Sequence, residues 1–263
     1  MPLFEGMEEF KNVSPAIQWA IFIVACLIVL VAIVSACVAI WLAIMYFKYN
    51  RRQNSRGISG RDAARQILDS NGLQHIRVST FGSLLFGNSY SHYFRKVRIR
   101  RLTAKKTSIT SLAMGAEKSA LAILDKEGDS DMRLRVILTP LMYFGPFAFI
   151  PLVVVGVIID IMVFNFTGVA TLVASSIGIL IYVISFLLSL MTLKTEIKAQ
   201  NRACQILASN GMATSEEISM MRDLYKLYNI QYVNDLILEF LQMLLKILQF
   251  VAKIQSNSSS SRN

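Results

Sequence analysis

Residues 19–47 read WAIFIVACLIVLVAIVSACVAIWLAIMYF, a run without one charged side chain. At ~1.5 Å per residue, a helix of this length exceeds the ~30 Å hydrocarbon core of a bilayer, so it can span with tilt. Trp19 and Trp41 fall roughly 33 Å apart along it, one at each interface, where aromatic side chains anchor. Ser14-Pro15 opens the helix, with serine as cap and proline at the first helical position. Lys48, Arg51 and Arg52 follow its end. A cleaved signal peptide fits less well, since it needs a shorter apolar core and a basic front end. The sequence therefore predicts an N-terminal segment over 1–16 and a first transmembrane helix over 17–47.

The rest of the chain fits the same class. Hydrophobic residues make up 54% and the mean hydropathy is +0.49, higher than a soluble domain usually carries. The net charge is +10. Between Lys48 and Arg135 there are 18 Lys and Arg against 7 Asp and Glu, so the whole excess sits in that section. The positive-inside rule then makes residues 48–135 cytoplasmic and puts the N-terminus outside, with anionic membrane lipid as one expected partner of the basic face. No nucleic-acid-binding module accompanies the charge, so nucleic acid is not expected as a partner. Cys26, Cys37 and Cys204 have neither metal-ligand spacing nor an even count for a disulfide framework.

Along the basic section, Ser59 to Asp62 opens a helix that runs to Ser70 and closes at Asn71-Gly72. Short strands are expected at Ile76–Thr80 and Val97–Arg101, and a helix from Ser108 to Leu124, ending in the turn Asp125–Gly128. A second apolar zone, 136–164, carries Pro140, Pro146 and Pro151, as a kinked membrane helix can. Asp160 lies near its end. A third, 165–193, has the small residues Ala174, Ser175, Ser176 and Gly178 that suit close packing in lipid. Asn165-Phe166-Thr167 matches a glycosylation acceptor, a pattern short enough to arise by chance. A helical segment over 194–232 precedes a last helix over 233–254. Its polar residues, Asp235, Glu239, Gln242, Lys246, Gln249 and Lys253, form one narrow stripe. That helix either packs on the bundle or in the interface, or crosses as a fourth span. A disordered serine-rich tail is expected over 255–263. Ala203–Met212 echoes Ala64–Leu73, which two similar helix caps explain. The expected fold class is mainly α: a polytopic integral membrane protein with a small α+β domain.

Several pieces in one order carry a family resemblance: ISGRDAARQILDSNGL at 58–73, Ser91-His92-Tyr93, KVRIRRLT at 96–103, Gly145-Pro146, TEIKA at 195–199, and Arg202-Ala203. Together they resemble the bacterial membrane-embedded neutral zinc metallopeptidases, the YugP-like family, over about residues 40 to 250. The resemblance implies a zincin-like domain over 48–135. It also implies a His-Glu-x-x-His helix, whose two histidines bind one zinc while the glutamate activates the bound water. A third, carboxylate ligand is expected from the helix after the third apolar zone, at Glu196.

The matching helix reads AMGAEKSAL over 113–121. Read against the motif, Ala116 and Ala120 stand at the histidine positions and Glu117 is a vestigial glutamate. Ser91 and Phe94 replace the family's acids around His92 and Tyr93, and Lys198 replaces an Asp or Asn. Alanine offers a metal no lone pair, so the sequence predicts no metal site, no cofactor and no catalytic residue. His92, with Glu117 and Glu196, is the one conceivable rebuilt ligand set. The expected function is that of a pseudoenzyme: a scaffold, subunit or adaptor in a membrane complex, oligomeric or joined to other membrane proteins such as an active paralogue. The alternatives are a zinc metallopeptidase with non-standard ligands and a small transporter or channel subunit.

Overall fold

Helix α1, Pro15–Arg51, starts where the Ser14 carbonyl accepts the first turn's amides, and Lys48 and Arg51 close it, favourably for the helix dipole. The computed structural model describes residues 13–163 and 168–260, so the Asn165-Phe166-Thr167 acceptor lies outside the described residues. After α1 come α2 (Gly60–Ser70), β1 (Arg77–Ser79), α3 (Ser83–Phe86), β2 (Ser89–Ser91), β3 (Lys96–Arg98), α4 (Arg101–Lys105), α5 (Ile109–Lys126), α6 (Ser130–Met162), α7 (Val169–Ser209) and α8 (Ser215–Ser260). The fold is mainly helical with one small sheet, of order β1-β3-β2. β1 runs parallel to β3 and β2 antiparallel to it.

Two expectations from the sequence are corrected. The strand read as Val97–Arg101 is Lys96–Arg98: Ile99 gives one more amide to Ser79, and then the Arg100 carbonyl already accepts from Ala104 as α4 turns. The tail read as disordered from Ser256 is helical to Ser260. Its first serine bonds back to the Lys253 carbonyl, so the hydroxyl follows the helix instead of competing with it.

The chain divides into two compact units. One comprises residues up to Ala36, Thr139–Ser189, and Asn234 onward. Among the described residues, α1 and α7 are long and apolar enough to cross a membrane, and α6 adds the shorter apolar stretch Ile150–Met162. Gly156 lets α6 and α7 approach: a Cβ there would sit 2.8 Å from the Ala174 Cβ and 2.9 Å from the Ala170 carbonyl oxygen. Asp160 caps α7, accepting amides from Ala170 at 2.9 Å and Thr171 at 2.7 Å. The polar stripe of α8 meets neighbours here: Ser35 donates to Asp235, and the Lys246 ammonium lies 4.5 Å from the Tyr182 ring centre.

The second unit, Cys37–Leu138 with Leu190–Val233, holds the larger core. α2 and α5 touch backbone to backbone, because a Cβ on Gly115 would be 2.3 Å from the Gly60 carbonyl oxygen. Ala63, Ala64, Ala113, Ala116 and Ala120 are wholly buried there. Three cations one turn apart on α7 pair with three acids at the α5–α6 junction: Lys194 with Asp131, Lys198 with Asp129 and Asp131, and Arg202 with Glu127. At the start of α8, Thr214 and Glu217 form a reciprocal cap, and Glu217 also accepts from the Ser55 amide at 2.6 Å and hydroxyl at 2.9 Å.

Candidate functional site

Ser108 caps α5 by accepting the Ser111 amide, and up to Leu124 the helix is then apolar or small except for one charged pair, Glu117-Lys118. That pair opens onto a cavity of about 370 Å³ within the second unit. Met114, Glu117 and Lys118 line it from α5, Thr192, Leu193, Glu196 and Gln200 from α7, and Tyr228, Asn229 and Tyr232 from α8. Tyr46, Asn88 and Arg100 complete the polar wall.

The Lys118 ammonium lies between two carboxylates, 3.2 Å from Glu117 and 3.0 Å from Glu196. Arg135 holds the other Glu196 oxygen at 2.6 Å. Both oxygens of Glu196 are thus bonded to cations. Glu117 accepts at 3.0 Å from the Gln200 amide, which also exchanges hydrogen bonds with the Asn229 amide at 3.1 and 2.8 Å. Behind the site, the buried Tyr225 hydroxyl donates to the Ala113 carbonyl at 2.6 Å, fastening α8 to α5.

The electrostatics follow from burial and pairing. Burial lifts the Glu117 carboxyl above its ordinary value, against the pull of Lys118 and with the push of Glu196. Burial would lift Glu196 as well, but Lys118 and Arg135 outweigh it and hold the carboxyl down to about 2. Lys118 is depressed by burial, yet the two carboxylates keep it above the usual lysine value, so it stays an ammonium at neutral pH.

Of the residues singled out in the sequence, Glu117 and Glu196 come together, bridged by Lys118. Ala116 and Ala120 do not line the cavity: both are fully buried in the core. At about 100° per residue, the cavity side of α5 is the one that carries Met114, Glu117 and Lys118, and Ala116 and Ala120 point well away from it. His92 does not join Glu117 and Glu196 either. It lines a second cavity of about 300 Å³, with His75, and its Nδ1 lies 2.6 Å from Asp125, which also accepts from the Tyr90 hydroxyl at 2.6 Å. Lys198 is taken up by Asp129 and Asp131. The sequence reading missed Lys118, Arg135, Gln200 and Asn229. Lys118 had a visible signal, as a cation beside an acid in the otherwise apolar middle of a helix.

The residues present do not suit zinc. The cavity wall offers two carboxylates and no imidazole, and a lysine and an arginine already occupy the carboxylate oxygens that a metal would need. Among the described residues, no group of three or more His, Cys, Asp or Glu is placed to hold a metal ion.

A family model described as "Putative neutral zinc metallopeptidase" matches residues 24–251. A protein described as "Putative membrane protease YugP", from Bacillus subtilis (strain 168), is 24% identical over 204 residues, which cover 78% of this chain and 86% of the relative. No solved structure matches the chain.

Proposed function

The chain belongs to the putative neutral zinc metallopeptidase family, and within it we propose a member that has exchanged hydrolysis for binding: a membrane-embedded scaffold or subunit whose former metal site is an internal ion cluster. One observation carries this reading. The Lys118 ammonium sits between Glu117 and Glu196, where it supplies fixed positive charge of the kind a bound cation would bring. An ammonium neutralises carboxylates but cannot polarise a carbonyl or generate hydroxide at neutral pH as a Lewis acid does.

The cavity also suggests how the family's motif lies on this helix. Two ligands four apart must face the third, and on α5 the pair Glu117 and Leu121 lies nearer in direction to Lys118, which touches Glu196, than the pair Ala116 and Ala120 does. The motif then falls on Glu117-Lys118-Ser119-Ala120-Leu121, one residue beyond the register that puts it on Ala116 and Ala120. In this reading Lys118 stands at the position of the glutamate that activates water, the first histidine position holds a glutamate paired with Lys118, and the second holds a leucine, which offers a metal no lone pair.

Elemental analysis of the purified, detergent-solubilised chain tests the proposal, with Glu117→Gln and Glu196→Gln as controls. Near-zero zinc together with chelator-insensitive inertness toward casein is the expected result. About one zinc per chain, lost in Glu196→Gln, would overturn it and point to a metallopeptidase with unorthodox ligands.

A further inference from the structure

Between Arg77 and Lys106 the chain has no acidic residue and eight Lys and Arg. This segment forms the small sheet with α3 and α4, and Leu84, Phe81 and Phe94 within it are three of the four most exposed large apolar side chains among the described residues of the second unit. Leu84 is 94% exposed, Phe81 82% and Phe94 68%. Lys96 joins the two rings, its ammonium 5.9 Å from the Phe81 ring centre and 5.2 Å from that of Phe94. Arg95 and Arg101 are exposed in the same segment. Among the described residues, Arg95, Lys96 and Arg101 have no carboxylate partner.

We infer that this surface is a docking site for an anionic lipid bilayer. Exposed Leu and Phe side chains beside Arg95, Lys96 and Arg101 suit a headgroup layer, where apolar tips enter the acyl boundary and cations meet phosphate. Aromatic rings alone would suit a nucleic acid equally, because bases stack on them. Leu84, the most exposed of the three, gains nothing from stacking and does gain from an acyl environment. The chain also carries its own apolar helices, so a bilayer is held near at high effective concentration, and a modest contact suffices. This inference is independent of the ion cluster and would hold for an active or an inactive member.

The test uses the full chain in nanodiscs, with Cys26, Cys37 and Cys204 replaced by alanine. A single cysteine is introduced by Leu84→Cys, or by Lys226→Cys as a control on α8, and labelled with an environment-sensitive fluorophore. The label at position 84 is expected to shift to the blue and be quenched by headgroup-proximal spin-labelled lipid in discs containing phosphatidylglycerol, but not in pure phosphatidylcholine. Position 226 should report the same environment in both. High salt should reverse the shift. Arg95→Gln, Lys96→Gln and Arg101→Gln should each lower the docked-to-free ratio about fivefold. An identical signal at position 84 in the two lipids would overturn the inference. So would a response to single-stranded RNA with none to phosphatidylglycerol, which would assign the surface to nucleic acid.

Discussion

Glu196 is the acid that two cations share, so its loss is the costly single change in the cavity. Glu196→Gln takes a carboxylate from Lys118 and from Arg135 at once, and removing one partner of a buried ion pair costs about 3–5 kcal/mol. The folded carboxyl titrates at about 2, below its ordinary 4.5, so its contribution is complete above about pH 4.5 and disappears as pH falls toward 2. The difference between wild type and Glu196→Gln in thermal unfolding should be full at pH 7 and shrink across that window. Glu117 shifts the other way, so Glu117→Gln should be neutral or stabilising at pH 7 in the same melts. A second prediction tests the motif's register. The triple change Glu117→His, Lys118→Glu and Leu121→His places two imidazoles on the side that faces Glu196, and should raise zinc content to about one per chain. Ala116→His with Ala120→His forces polar rings into a closed core instead. It should lose stability, by about 1–3 kcal/mol per site for overpacking alone, without gaining metal.

At the scale of elements, the α2–α5 contact depends on two glycines whose missing Cβ atoms make room for backbone. Gly115→Ala would put a carbon 2.3 Å from the Gly60 carbonyl oxygen, and Gly60→Ala one 2.5 Å from that of Thr103. Each should lower the denaturation midpoint by the equivalent of about 1–3 kcal/mol, although alanine is the better helix former by about 1 kcal/mol. Much of this layer was legible in the sequence because its signals are local. Ser59 and Ser108 announce α2 and α5 as caps, and Asn71-Gly72 ends α2 with Gly72 at φ 68°. The cap at Thr214 and Glu217 has the same kind of local signal and was overlooked. The cavity was not legible, because Gln200 meets Asn229, and Lys118 meets Glu196, only once α5, α7 and α8 are packed.

For the whole molecule, the charge distribution predicts orientation. A cysteine introduced by Arg61→Cys in a background free of native cysteines should react with a membrane-impermeant maleimide only after cells are permeabilised. A cysteine placed ahead of α1 should react in intact cells, and the reverse pattern would refute the assignment. The division of the chain has a further consequence for how the protein is made. The second unit is assembled from Cys37–Leu138 and Leu190–Val233, with the stretch between them belonging to the other unit. A ribosome that has finished α5 has therefore produced about two thirds of a core whose remaining wall, from Leu193 to Tyr232, is still unwritten. Until that wall arrives, apolar surface on α2 and α5 stays open to holdases and to proteolytic surveillance. Messages truncated within α7 should accordingly yield rapidly degraded fragments, whereas stops after Val233 should yield a second unit complete in sequence.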